Sequence, residues 1–276
     1  MCGIVGYVGE NSASPILIDG LKKLEYRGYD SAGIAVSENG KTDVVKTKGR
    51  IKNLEEKLEE VGGLSGTVGI GHTRWATHGA PTDVNAHPHK GGNGRITLVH
   101  NGIIENYIEL KTMLQKGGYV FVSETDTEVL AHLFDYYYKG DLLDAMVNVM
   151  KTVRGSYAVA ILADDKPGTI IAARKDSPLI VGLDIPAVLK YTRDCYLLED
   201  NQIAVLTKDN VTLYDTDKNV VKKDVYHVTW DVEAAEKCGY EHFMQKEIAE
   251  QPKAIHDTLS PRIKDGRVSI PELTLT

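Results

Sequence analysis

Apolar residues in the first third of the chain alternate between the short period of strands and the longer period of helices. Strands are predicted over residues 2–8, 32–37, 43–48 and 67–75. Asn39-Gly40 lies between the second and third of them, and this dipeptide favours a two-residue hairpin turn. Helical spacing of apolar residues follows Pro15, which suits a first helical turn, and recurs around Leu54. This region is therefore predicted to mix strands and helices.

Helical patterns occupy the middle of the chain, and strand patterns dominate the region after residue 155. Residues 95–100 predict a strand that ends at Asn101-Gly102, and Asn106 is placed to cap the next helix. Thr125-Asp-Thr-Glu128 has the sequence of a capping box, and a further helix is predicted over residues 142–153. Strands are then expected over residues 157–163, 169–174, 179–181, 195–198, 203–206, 211–214 and 225–229, with a short helix over 185–190.

The order of these elements bears on the fold class. Strands, then helices, then strands succeed one another, whereas a parallel sheet needs strands and helices in alternation. We therefore predict an α+β fold in which antiparallel sheets are covered by helices. One domain is expected over residues 1–240. The tail, residues 241–276, is predicted to be a linker that begins with a helix over 241–249. Gln251-Pro252 is expected to end this helix or to start the next element.

Bulk composition argues against several classes of function. The 276 residues are 42% hydrophobic and 26% charged, an ordinary soluble composition, and no apolar run reaches the ~18 residues of a membrane span. The N-terminus lacks the pattern of a signal peptide. A formal net charge of −7 argues against a nucleic-acid surface, which needs clustered Lys and Arg. Cys2, Cys195 and Cys238 suit neither a disulfide framework nor a CxxC metal site, so a reducing cytoplasm is expected.

Cys2 is the residue best suited to catalytic chemistry. Removal of Met1 would leave a thiol and a free α-amine on the same residue. The thiolate is a nucleophile with an ordinary pKa of about 8.5, and the α-amine titrates near 7.7–8.0, so one residue could supply both nucleophile and base. The alternative is a small residue packed at the start of the first strand, which is the common role of an unmodified cysteine.

Four further residues carry chemical groups that acyl transfer by a thiol requires. The amide of Asn101 and the backbone N–H of Gly102 suit a developing oxyanion, although Asn-Gly also favours a plain turn. Arg74 suits a carboxylate, with a surface salt bridge as its alternative. Asp126 suits an ammonium group, with stabilisation of a helix N-terminus as its alternative.

The histidine-rich and glycine-rich stretches match no metal or phosphate motif. The histidines in question are His72, His78, His87, His89 and His100. They form neither an HExxH pair nor a zinc-spaced set with cysteine. The glycine-rich segments 66–71 and 91–94 do not precede helices as a phosphate loop would. No metal and no cofactor are therefore predicted.

Six motifs succeed one another along the chain, and five of them contain the candidate residues named above. They are Cys2-Gly-Ile-Val-Gly, Leu24-Glu-Tyr-Arg-Gly-Tyr-Asp-Ser-Ala-Gly33, Gly71-His-Thr-Arg-Trp-Ala-Thr-His-Gly79, Asn85-Ala-His-Pro-His89, His100-Asn-Gly102 and Ser123-Glu-Thr-Asp-Thr-Glu128. In this combination residues 2–260 resemble the glutaminase domain of the glutamine:fructose-6-phosphate aminotransferases (glucosamine-6-phosphate synthases), which are N-terminal nucleophile amidotransferases. Glu247-Ile-Ala-Glu-Gln-Pro252 resembles the segment that leads into their sugar-isomerase domain.

The resemblance implies a fold and a set of roles. The fold is that of the N-terminal nucleophile hydrolases, an αββα sandwich of two antiparallel sheets between helical layers. Cys2, exposed by loss of Met1, would attack the side-chain amide of glutamine, while its own α-amine handles the protons through a water. Arg74 would bind the α-carboxylate of glutamine and Asp126 its α-ammonium. The implied catalytic residues are Cys2, Asn101 and Gly102. The implied substrate-binding residues are Arg74, Trp75, Thr77, His78, Asp126, Arg27 and Gly28.

The resemblance also implies a reaction and partners. L-glutamine would give glutamate and ammonia. In the full-length enzyme the ammonia would aminate fructose 6-phosphate to glucosamine 6-phosphate, a hexosamine and cell-wall precursor, on an isomerase domain absent from this chain. A cytoplasmic homodimer without nucleic-acid or membrane partners is expected of that enzyme. Three features depart from the family pattern. Met1 is still present in the sequence, the connection Gly182-Leu-Asp-Ile-Pro186 is short, and the sequence shows no isomerase domain.

Two alternatives stay open on the sequence. The first is the glutaminase domain of another amidotransferase, such as a phosphoribosyl-pyrophosphate amidotransferase or an asparagine synthetase. The second is a regulatory domain that kept the fold but lost the activity, which retention of Met1 would favour.

Overall fold

Two antiparallel sheets form the framework of the larger part of the chain. The computed structural model describes residues 2–25, 29–76, 79–181, 194–227, 240, 243–264 and 267–268. They fall into two compact units, Met1–Thr229 and Trp230–Thr276.

The first sheet has four strands in the order β1-β4-β2-β3. They are β1 Gly3–Val8, β2 Ser31–Glu38, β3 Lys41–Lys48 and β4 Val68–Arg74. Asn39 and Gly40 join β2 to β3 and both have positive φ (51° and 77°), as the predicted two-residue hairpin turn requires. Thr73 lies opposite Gly3, and Arg74 lies opposite Ser31. The register therefore places Cys2 at the same end of the sheet as Arg74.

The second sheet has six strands in the order β12-β11-β8-β7-β6-β5. They are β5 His89–Gly91, β6 Ile96–Ile104, β7 Gly155–Ala163, β8 Thr169–Lys175, β11 Ile203–Thr207 and β12 Val211–Tyr214. A small third sheet is formed by β9 Ile180–Val181, β10 Asp194–Leu197 and β13 Tyr226–His227. All pairings in these two sheets are antiparallel, as the sequence predicted.

Helices cover the outer faces of the two large sheets. They are α1 Ala13–Leu24, α2 Ile51–Glu60, α3 Tyr107–Lys116, α4 Asp126–Tyr137 and α5 Leu142–Thr152. Ile34 packs with α1 and α2, while its neighbour Ala35 packs between the sheets. Val159 packs with α3, α4 and α5, while Ala160 faces the first sheet. Alternate side chains along these strands thus face the helices on one side and the other sheet on the opposite side. The predicted αββα sandwich is confirmed.

Strand β6 is longer than the sequence indicated. The prediction that it ends at Asn101-Gly102 was wrong, because pairing with β7 continues to Ile104, opposite Gly155. Gly102 has φ of 133°, and Gly155 has φ of 122°, so both use backbone conformations that favour glycine. Asn-Gly therefore lies within a strand here and does not form a turn.

Two predicted helix caps differ in detail from expectation. Thr125 Oγ1 accepts a hydrogen bond from the backbone N–H of Glu128 (3.3 Å), as a capping box requires. The Glu128 carboxylate instead accepts from the N–H of Val122 and of Ser123 (2.9 and 2.7 Å). Asn106 precedes α3 as predicted, but its side chain does not cap that helix. It bonds across to the start of β7, where its Oδ1 accepts from Arg154 N (2.9 Å).

A long helix, α6 Phe243–Leu259, accounts for most of the described residues of the second unit. A 3₁₀ turn, Ser260–Arg262, and a short hairpin of β14 Ile263–Lys264 and β15 Arg267–Val268 come after it. The helix continues through Pro252, so the expected break there was wrong; loss of one N–H donor does not end it. The predicted helix over 185–190 lies outside the described residues. Within the described ranges no helix has the length and apolar character needed to span a membrane.

Candidate active site

Cys2 lies at the end of β1, beside the residues that come after β4. Its Sγ accepts a hydrogen bond from the backbone N–H of Trp75 (3.3 Å) and lies 3.6 Å from the carbonyl oxygen of Trp75. Burial raises the pKa of the thiol, while the Trp75 N–H and the charge of Arg74 act in the opposite direction. A thiol with a raised pKa is mostly protonated at neutral pH, so it needs a nearby base to become a nucleophile.

Asn101 joins the two sheets at this point. Its Nδ2 donates to the carbonyl oxygen of Cys2 (3.3 Å), and its Oδ1 lies 2.8 Å from Nε2 of His72 on β4. The amide nitrogen therefore points toward Cys2. An amide nitrogen has two hydrogens, so the one directed at Cys2 O leaves a second donor for a ligand.

Gly102 could not be replaced by a larger residue without a local shift. A Cβ at this position would lie 2.1 Å from the carbonyl oxygen of Ser156 on the neighbouring strand. Its φ of 133° is also unfavourable for residues with a side chain. Close packing thus fixes the backbone immediately after Asn101.

Arg74 is 4% exposed and ends β4. Its guanidinium donates to the carbonyl oxygens of Gly79 (3.2 Å) and Ala80 (3.5 Å). Asn85 Nδ2 also donates to Ala80 O (3.0 Å) and to Glu124 Oε2 (3.0 Å). The arginine is thus held in a buried position beside the loop that comes after it, with a planar set of donors that suits a carboxylate.

Asp126 is the first residue of α4 and is buried. Its Oδ2 accepts a hydrogen bond from the backbone N–H of Ile104 (2.9 Å), at the end of β6. The carboxylate therefore ties the helix start to the strand that carries Asn101 and Gly102. Both roles predicted from the sequence, a helix-terminal acid and a ligand for a cation, are compatible with this position.

Asp30 is a site residue that the sequence reasoning missed. Its Oδ2 accepts from the backbone N–H of Ala76, and its own N–H donates to Arg74 O (3.2 Å). It therefore holds the backbone on either side of Trp75, whose N–H contacts Cys2. Trp75 is 47% exposed and its ring meets Tyr29 edge-on at 5.3 Å. The sequence feature that could have indicated this role is the position of Asp30 within one of the six motifs.

Among the residues that the structure describes, four buried histidines lie close to this site. They are His72, His87, His89 and His100. Burial lowers the pKa of His72 to about 3 and lowers the pKa of the other three. Within the described part of the chain no group of histidine, cysteine or acidic residues could hold a metal ion.

The structure brings together most of the predicted site. Direct contacts connect Cys2 with Trp75 and Asn101. Gly102 follows Asn101 within β6, and Asp126 contacts Ile104 at the end of the same strand. Arg74 lies close enough for its charge to act on the thiol of Cys2. Four predicted residues, Arg27, Gly28, Thr77 and His78, lie outside the described residues.

Comparisons with known proteins identify relatives of the whole chain. A family model described as a glutamine amidotransferase domain matches residues 72–185. Glutamine--fructose-6-phosphate aminotransferase [isomerizing] of Clostridium tetani is 58% identical over 276 aligned residues, which cover 97% of this chain and 45% of that protein. The protein of the same name from Clostridium perfringens is 57% identical and covers 100% of this chain and 47% of its own length. The chain thus spans about half the length of the curated relatives it matches.

Solved structures share the fold at lower sequence identity. Glutamine phosphoribosylpyrophosphate amidotransferase from B. subtilis, complexed with ADP and GMP, aligns with a TM-score of 0.66 and 26% identity. The alignment covers 80% of this chain and 50% of that chain. The fold is that of the N-terminal nucleophile amidotransferases. Identity to the fructose-6-phosphate aminotransferases is about twice as high, which favours them over the alternative amidotransferase.

Proposed function

The chain belongs to the glutamine amidotransferases and matches the N-terminal half of glutamine--fructose-6-phosphate aminotransferases, and on that premise we propose that Cys2 hydrolyses the side-chain amide of L-glutamine. The contacts of Cys2 carry the proposal: Trp75 N–H points at its Sγ, and the amide nitrogen of Asn101 points at its carbonyl. A nucleophile and an oxyanion donor are thereby held side by side.

The reaction takes place in two steps. After loss of Met1 the α-amine of Cys2 takes the thiol proton through a water. Sγ bonds to the amide carbon, the C–N bond breaks, and the nitrogen leaves as ammonia with that proton. Water then cleaves the thioester and releases glutamate. Asn101 Nδ2 and Gly102 N–H stabilise the oxyanion in both steps, where each donor is worth about 10²–10³ in rate.

Glutamine is a zwitterion, so a fixed cation and a fixed anion orient it. Arg74 binds the α-carboxylate and Asp126 the α-ammonium. By resemblance to the family, Trp75, Thr77 and His78 would belong to the loop that lines the glutamine pocket, and Arg27 and Gly28 to a loop beside the nucleophile. These roles rest on the family resemblance. They are supported by the burial of both charged side chains, Arg74 at the end of β4 and Asp126 in contact with Ile104 at the end of β6.

A glutaminase assay tests this function. The wild-type chain should release glutamate and ammonia from glutamine, and Cys2→Ala should release none while its circular dichroism is unchanged. Cys195→Ala is the matched control, because Cys195 lies buried in β10 and its Sγ contacts Tyr226 O (3.4 Å). Turnover by Cys2→Ala at the wild-type rate would refute the proposal, and an inactive wild-type chain would favour the regulatory alternative.

In the full-length protein the ammonia would aminate fructose 6-phosphate to glucosamine 6-phosphate, for hexosamine and cell-wall synthesis. The names of the relatives support this role, and it needs the half of those proteins beyond the matched region, to which residues 241–276 would lead. A homodimer in the cytoplasm is proposed for that protein. Light scattering of the full-length protein, and its product formation with fructose 6-phosphate, test the dimer and the aminated product.

A further inference from the structure

We propose that His72 is a positioning residue for the reaction: its imidazole fixes the side-chain amide of Asn101 so that the nitrogen, and not the oxygen, faces the nucleophile. The inference rests on the proposed glutaminase function and adds a residue to its machinery.

The contacts of Asn101 determine the orientation of its amide. The carbonyl oxygen of Cys2 can only accept a hydrogen bond, so the group 3.3 Å from it is Nδ2. Oδ1 therefore faces His72, whose Nε2 lies 2.8 Å away and must carry the hydrogen. In the flipped amide, oxygen would face Cys2 O, which is a repulsive contact. The nitrogen would face Nε2, which could accept a hydrogen bond only if the ring hydrogen moved to Nδ1, a buried atom without a hydrogen-bond partner in the described part of the chain. An oxygen would also face the developing oxyanion.

The structure restrains the His72 ring in the position that this role needs. His72 lies in β4, an inner strand of the four-stranded sheet, opposite Ile4 on one side and Gly33 on the other, and is 1% exposed. The His87 ring packs against it with centroids 4.1 Å apart and an angle of 32° between the planes. Burial keeps the imidazole neutral, since it lowers its pKa to about 3, so the ring has a single N–H.

A pair of amide substitutions separates this role from simple packing. In His72→Gln the side-chain nitrogen can reach the place of Nε2, and in His72→Asn it is too short. His72→Asn should lower kcat for glutamine about 10–100-fold and change KM less than about twofold. The loss of kcat is smaller than the roughly 10²–10³-fold expected when an oxyanion donor is removed, because Asn101 is still present. His72→Gln should recover most of kcat. His132→Asn, a buried histidine of α4 that contacts Val120 O (3.1 Å), is the control and should keep the wild-type kcat.

A double mutant gives a second, independent readout. If His72 acts through Asn101, then His72→Asn should add less than about twofold to the loss of kcat in Asn101→Ala. Additive losses, equal kcat for the Gln and Asn variants, or wild-type kcat in His72→Asn would overturn the inference while the glutaminase function stands. A wild-type chain that releases no glutamate would refute the function itself, and the inference with it.

Discussion

Replacement of Gly102 by alanine should damage catalysis far more than the added methyl group suggests. The new Cβ would lie 2.1 Å from Ser156 O, whereas real Cβ contacts essentially never fall below 3.0 Å. The backbone must therefore move by about 1 Å, and such a displacement can cost about 10² in rate. Strain from the φ of 133° adds about 1–3 kcal/mol of destabilisation.

The assay compares kcat, KM and urea denaturation of Gly102→Ala with those of Gly118→Ala. Gly118 also has positive φ (90°), but nothing lies within 4 Å of a Cβ placed there. It should therefore lose only about 1–2 kcal/mol of stability from backbone strain and keep full activity. Gly102→Ala should lose about 100-fold in kcat, which corresponds to about 2.7 kcal/mol in the barrier. Equal kcat in the two variants would refute the idea that packing against Ser156 holds the backbone N–H of Gly102 in place for the oxyanion.

Three further predictions concern substrate binding and pH. Asp126→Asn keeps an acceptor for Ile104 N–H but loses the charge. It should therefore raise KM for glutamine at least about tenfold with little loss of stability. Asp126→Ala removes the acceptor as well, so it should also lower the urea midpoint. Arg74→Ala should raise KM similarly, and a normal KM in both charge-removing variants would exclude these residues from the pocket. The buried histidines bind protons readily only in the unfolded chain. The free energy of unfolding should therefore be highest above pH 6.5 and should fall as the pH drops below that value. Each histidine contributes a decrease of up to about 1.4 kcal/mol per pH unit. The residues concerned are His72, His87, His89 and His100. Urea midpoints from pH 8 to 5 measure this, and a flat profile would contradict it.

The layers of the fold were predictable because hydrophobic periodicity reports directly on burial. Strand β2 alternates between two apolar environments, and the Asn39-Gly40 turn results from local backbone preference. The continuation of β6 past Asn101 was not predictable in this way. Asn-Gly favours turns in isolation, and only the pairing of Gly102 with Tyr157 on β7 overrides that preference.

The candidate site was predictable as a set of residue types, but its internal connections were not. A thiol, an amide, a guanidinium and a carboxylate were indicated by their chemistry and by the family motifs. The roles of Asp30 and His72 depend on which atoms face each other across strands. Asp30 lies 46 residues from Ala76, whose N–H donates to it, and His72 lies 29 residues from Asn101. No local pattern reports such contacts.

Intact mass spectrometry after treatment with a glutamine analogue is the sharpest test of Cys2 as an N-terminal nucleophile. The analogue carries an electrophilic diazoketone in place of the side-chain amide. We expect a chain that lacks Met1 and carries one adduct, which peptide mapping places on Cys2, and we expect glutamine to protect against labelling. An adduct on another residue, or full glutaminase activity in a chain that retains Met1, would contradict this assignment.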